Sequence, residues 1–225
     1  MITTTMALQS PLIAANLPVV DAIDRDRPFS IVAAVHQPRT IEGVEQRRTF
    51  RSAVANRLYT TRESGRDLFG PTPAISPEKM GDLGEHGRRG PLGCDVPALA
   101  GIELWRKADE AAAIDRPELP VAFHAIAWLP LRLEPDGWRN LIFAFCDDVL
   151  VRNGMVADWA VHRRPDGQGS WAVPPHAHLI ITARGWRPER NPGRRNAAWF
   201  GSNASLKAAE DQWQSLLVEA AEEAS

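Results

Sequence analysis

Two histidines one residue apart, His176 and His178 in PHAHLIITAR, project to the same face of an extended strand, because strand side chains alternate with a period of two. The segment GMVADWAVH before them ends in His162, and the intervening RRPDGQGSWAVPP carries a Pro-Asp-Gly turn signal. The two segments therefore read as antiparallel strands that bring a third imidazole beside the pair. Three neutral imidazoles on rigid strands leave coordination positions open, which suits a cation that holds and polarises a substrate oxygen. Half of the six histidines fall in this one hairpin. Spacing alone admits three outcomes: surface or core histidines with no ligand, a metal hydrolase, and a non-catalytic metal-binding protein.

The elements that must position these residues follow from periodicity. FSIVAAVH from Phe29 is a short run rich in β-branched residues, bounded by Pro28 and Pro38, and is predicted as the first strand. Ser52 can cap a helix over roughly 53–64, on which Ala55, Tyr59 and Arg62 share a face, so Tyr59 is expected to look outward. Between Gly65 and Gly93 stand seven glycines and four prolines without apolar periodicity, which predicts a long loop, extended here to 65–96, that could lie over a substrate groove. A second helix is expected over 97–114 from the spacing of Leu99, Ile102, Trp105 and Ala108, and VAFHAIAWL at 121–129 is the second strand. Trp138, Leu141, Phe145 and Val149 form a helical stripe ended by a left-handed Gly154. GMVADWAVH and HAHLIITAR are the third and fourth strands, and a last helix from about Ser205 buries Leu206, Ala209, Trp213, Leu216 and Ala220. This order predicts an α+β fold, a mainly antiparallel sheet with helices packed on one face. Residues 1–27 are expected to be a flexible extension and 28–225 one domain.

RSAVANRLY at 51–59, ELW at 103–105, and GMVADWAVH with PHAHLIITAR at 154–184 together closely resemble the MobA/MobL relaxases of mobilisable plasmids, within the wider HUH endonuclease group. The resemblance runs from about Phe29 to the C-terminus, and the hairpin is its most specific part. It implies a site- and strand-specific DNA-nicking enzyme with Tyr59, the chain's one tyrosine, as nucleophile and His162, His176 and His178 as ligands of Mg²⁺ or Mn²⁺. It also implies single-stranded or locally melted DNA at a transfer origin as partner, with relaxosome accessory proteins as further candidates. Two departures stand out. TTRESG follows the tyrosine where relatives have Arg, Ala and Gly, and VPPHAH replaces the family's Asn-Pro-His, putting Pro174 where an asparagine would donate hydrogen bonds. A relaxase-like DNA-binding or regulatory module with weakened cleavage is therefore the second reading.

The charge balance, 26 basic against 28 acidic residues, excludes a strongly basic whole-chain field, so DNA contacts must come from local patches. Arg51, Arg57 and Arg62 run around Tyr59, while Arg184, Arg187, Arg190, Arg194 and Arg195 follow the ligand strand; both runs are expected to flank the site and grip phosphates. Trp171, Trp186 and Trp199 could stack on unpaired bases or pack in the core. Two cysteines without metal-ligand spacing point to a reduced, cytoplasmic setting, and the uncharged start is too interrupted by Gln9, Pro11, Asn16 and Pro18 for a leader or membrane span.

Overall fold

Five strands form one antiparallel sheet: β1 (Phe29–Val35), β7 (Pro120–Trp128), β9 (Trp171–Thr182), β8 (Ala157–Pro165) and β6 (Leu83–Arg89), in that spatial order. The coordinates, a computed structural model, describe residues 28–42, 44–46, 48–94, 99–187 and 192–223. The expected N-terminal extension, the start of the second helix at Pro97 and Arg190 lie outside them.

Alternation along β9 divides the core. Ala177, Leu179 and Ile181 face α4 (Pro135–Phe145) and α5 (Asn203–Glu223), joining Phe145, Leu141, Trp213 and Leu216 in one buried cluster. Ile180 on the opposite face packs with α1 (Ala53–Thr60) and α3 (Glu103–Ala113) through Val54, Leu58, Leu104 and Trp105. The α+β class and the antiparallel sheet stand, but helices cover both faces rather than one. The physical reason is legible in β7 and β9 themselves: successive residues, 121–125 and 175–182, are buried without alternation, as strands covered on both sides require.

The expected loop over 65–96 is corrected more deeply. It contains a small hairpin, β4 (Arg66–Asp67) and β5 (Gly70–Pro71), a helical turn, α2 (Pro77–Met80), and β6, the edge strand beside β8. Gly87, one of the glycines that suggested a loop, answers to packing instead: a Cβ built on it would lie 3.2 Å from the Trp159 ring. Glycine inside a strand marks such a close approach. A second small hairpin, β2 (Thr40–Ile41) with β3 (Val44–Glu45), precedes the first helix.

Helix α1 begins where the capping residue predicts, with the Ser52 hydroxyl accepting from the Ala55 amide. Its two preceding amides, Ala53 and Val54, donate to the buried Asp109 carboxylate of α3 at 2.8 and 3.0 Å. Burial raises the carboxyl pKa of Asp109, against the lowering effect of those bonds and of His36. The helix stops four residues short of the expected Ser64, because Arg62 takes a left-handed φ of 57°. That conformation is unfavourable for a residue with a Cβ and persists only where contacts hold it. After α4 the chain passes through a π-helical turn, Cys146–Leu150, and ends at Gly154 with φ 79°, the left-handed cap its position suggested.

Candidate metal centre beside a buried tyrosine

His162 on β8 stands directly opposite His176 on β9, and His178 follows two residues along on the same face. The candidate ligand atoms of the three all lie within 4.8 Å of one another. Nitrogen ligands about 2.1 Å from an ion at tetrahedral angles stand roughly 3.4 Å apart, so the rings must close in by up to about 1.4 Å to hold a metal. Burial, the dominant cause, together with the neighbouring imidazoles and Arg62 holds His162 and His178 well below the ordinary histidine pKa. Both are therefore neutral at pH 7, the form a metal needs.

Hydrogen bonds decide which ring nitrogen each histidine offers. His176 Nδ1 donates to the Pro174 carbonyl at 2.9 Å, leaving Nε2 as the lone-pair nitrogen. Pro174 thus serves the site through its carbonyl. His178 Nδ1 lies 2.8 Å from Nε2 of His124, a fourth, buried imidazole on β7. His162 is different: its Nδ1 faces Arg62 Nη2 at 2.9 Å and its Nε2 faces the Thr60 carbonyl at 2.7 Å. Since guanidinium only donates and a carbonyl only accepts, Nδ1 accepts and Nε2 donates. Coordination through His162 requires release of one of these two bonds.

Tyr59 reaches this cluster from α1, its ring 5.9 Å from that of His178 in an edge-on contact. The expectation that it looks outward is corrected. Only 5% of it is exposed, packed among Phe50, Ile75 and Ile126. Its hydroxyl accepts from Lys79 Nζ at 3.3 Å, and the Arg62 guanidinium lies over its ring at 4.7 Å. Ile75 and Lys79, both from the segment expected to be a loop, pack against the tyrosine.

The arginines fall into two groups. Arg62 is buried, pairs bidentately with Asp82 at 2.8 and 2.9 Å, and donates to the Tyr59 carbonyl. Arg57 bonds Asp158 and Glu63, and Arg51 bonds Glu45. Arg184 holds Asp115 and the carbonyls of Ala111 and Gly193. Arg187 is exposed and, with Arg152, Arg194 and Arg195, lines a cavity of about 640 Å³ beyond the end of β9. Six residue steps of strand and turn lead from His178 to Arg184, roughly 20 Å, so the second run lies at the far end of the sheet instead of flanking the histidines. Trp186 is buried in the core, and Trp171 and Trp199 pack half-buried against the α4–α5 cluster.

Four residues at this site escaped the sequence reading: His124, Asn56, Lys79 and Asp82. His124 left a signal, a lone polar residue in the apolar run VAFHAIAWL. Lys79 and Asp82 left none, since they lie in the segment without periodicity.

The histidine pKa shifts predict a pH dependence of stability for the metal-free protein. Above the unfolded value of about 6.5 the rings are neutral in both states. As pH falls below 6.5 the unfolded chain takes up protons that the buried rings refuse, so stability declines by up to about 1.4 kcal/mol per pH unit for each histidine until the lowered folded values are reached. Thermal melts in chelator from pH 7.5 to 5 should show this decline, and His178→Gln should make it shallower. A slope unchanged in that variant contradicts the assignment.

Comparison with known proteins gives a fold and a family from separate sources. No curated protein matches the chain. A solved structure described as "Molecular Basis of Vancomycin Resistance Transfer in Staphylococcus aureus" superposes with a TM-score of 0.61 at 18% identity, over 87% of this chain and 92% of that one, which establishes a common fold. Among the described residues no helix is long and apolar enough to cross a membrane. The MobA/MobL family model matches residues 102–220, a span holding α3, β7, α4, both histidine strands and most of α5. With more than half of its 225 residues inside that match, the chain belongs to the MobA/MobL family.

Proposed function

We propose that the protein is a plasmid-mobilisation relaxase that nicks one strand of single-stranded or locally melted DNA at a transfer origin. The observation that carries this reading is the meeting of Tyr59 with the histidine cluster, although about a hundred residues separate them in sequence. In the reaction the Tyr59 oxygen loses its proton and attacks phosphorus, a 5′-phosphotyrosyl bond forms, the phosphorus–O3′ bond breaks, and the departing 3′ oxygen takes up a proton. The ester retains the reactivity of the phosphodiester, so the 3′-hydroxyl can return and reseal the strand.

His162, His176 and His178 would hold Mg²⁺ or Mn²⁺, which supplies charge neutralisation on the non-bridging phosphate oxygens. The chain's own groups do the rest. A phenol with an ordinary pKa of about 10 is a weak nucleophile at neutral pH, and the Lys79 ammonium stands where negative charge develops on its oxygen. Arg62 fixes the end of α1 and thereby the tyrosine backbone. Arg187 and Arg194, both exposed, supply phosphate contacts away from the scissile bond.

Incubation with labelled single-stranded DNA from the element's own transfer region and Mn²⁺, read on a denaturing gel, tests the proposal: a covalent adduct supports it. Lys79→Met should slow adduct formation about 100-fold, the scale for losing one donor to a developing anion, and shift the acid limb of the pH–rate profile upward. An unchanged profile removes Lys79 from the reaction.

A DNA-binding module with weakened cleavage is the second reading, favoured by the burial of Tyr59 and by the engagement of both His162 nitrogens with Arg62 and Thr60. DNA binding without an adduct supports that one.

A further inference from the structure

We propose that His124, oriented by Asn56, is a positioning residue that sets the tautomer of His178 so that Nε2 of His178 faces the ion. The inference rests on the metal-centre reading above and adds a residue outside the ligand set.

The chain of hydrogen bonds has only one consistent proton arrangement when both histidines are neutral. Asn56 Nδ2 donates to the carbonyls of Phe50 and Ser52 at 2.9 and 2.7 Å, which uses both of its protons and fixes the orientation of the amide. Its Oδ1, which also accepts from the Thr49 hydroxyl, therefore faces His124 Nδ1 at 3.0 Å and must accept there. His124 carries its proton on Nδ1, and its Nε2 is a lone pair. The 2.8 Å contact with His178 then has one direction: His178 Nδ1 donates to His124 Nε2. His178 is left with its lone pair on Nε2, in the same protonation pattern that the Pro174 carbonyl imposes on His176.

Burial makes the arrangement rigid. His124 is 1% exposed, His178 1% and Asn56 0%, so no solvent competes for these bonds. The register of the sheet explains the reach: His124 lies opposite Ile180, on the same face as His178 and diagonal to it across the β7–β9 pair. Ligating histidines ordinarily pass their second N–H to an oxygen acceptor that orients the ring, and the loss of such partners weakens metal binding by about 10- to 100-fold. In this chain a second imidazole takes that place and hands the requirement on to an asparagine anchored at the start of the tyrosine helix. The nucleophile's helix and the metal site therefore share one hydrogen-bonded support, Asn56 on α1.

Calorimetric titration of the folded protein with Mn²⁺ tests the role without any DNA. His124→Ala should weaken binding about 10- to 100-fold. His124→Gln should recover most of it, because its carbonyl can accept from His178 Nδ1 while its amide donates to Asn56. Wild-type affinity in a folded His124→Ala variant, or equal loss in the alanine and glutamine variants, overturns the proposal. Should His124→Ala fail to fold, nitrogen NMR of the metal-free wild-type protein decides the matter. Nδ1–H on both His124 and His178 supports the relay, and Nε2–H on His178 overturns it. Absence of any Mn²⁺ binding by the wild-type protein would overturn the metal-centre reading itself, while the tautomer measurement would still judge the relay separately.

Discussion

Tyr59→Phe should abolish the covalent DNA adduct, with cleavage falling on the order of 10⁴-fold or more, because the change deletes the one oxygen that can form the phosphotyrosyl bond. The substitution is well matched to the question. Phenylalanine keeps the ring against Phe50 and beneath the Arg62 guanidinium, so the fold loses little beyond the hydroxyl's bond to Lys79, about 1 kcal/mol. A melting temperature close to wild type with no adduct isolates the chemistry. DNA binding should persist, since the exposed arginines are untouched. An adduct that survives in Tyr59→Phe would remove Tyr59 from the mechanism and return the three-histidine cluster to the hydrolase or binding readings.

His176→Ala has the second largest expected effect. A three-ligand site that loses one imidazole should bind Mn²⁺ at least about 100-fold more weakly and form adduct about 1,000-fold more slowly at limiting metal. Its ring nitrogen is held by a local carbonyl two residues away, so its loss disturbs α1 less than loss of His162, which is bonded to Thr60 and Arg62. Thermal stability gives an independent measure. Metal at about a hundred times its dissociation constant stabilises the native state by about 2.7 kcal/mol, roughly 5 to 10 °C for a chain of this size. Wild type should show that shift and lose it in chelator, and His176→Ala should not show it. A full shift in the variant would mean that the ion sits elsewhere.

Local pattern carried much of the fold. The Ser52 cap, the apolar stripe of α4 ending at left-handed Gly154 and the amphipathic face of α5 each depend on neighbours within a few residues, and all three appear in the structure. The edge strand β6 did not show itself in this way. An edge strand buries little and needs no apolar alternation, and its Gly87 answers to Trp159, about seventy residues away. The end of α1 is hidden from the sequence for the same reason: Arg62 leaves the helix where Asp82 and His162 hold its guanidinium, and neither lies within reach of a helical window.

The sequence by itself determined the chemistry at hand: the alternation that puts His176 and His178 on one face, the hairpin that adds His162, and a lone tyrosine on a capped helix. Tertiary structure alone decided how those groups are presented. It brought Tyr59 to the edge of His178 and buried it against Ile75 and Lys79, turned Arg62 inward, added His124 and Asn56 behind the three histidines, and sent the second arginine run to the opposite end of the sheet. The division has a physical cause. Side-chain direction within one strand or helix follows from backbone periodicity, whereas burial, proton placement and ion pairing depend on partners tens to a hundred residues distant, which only the packed sheet and helices bring together.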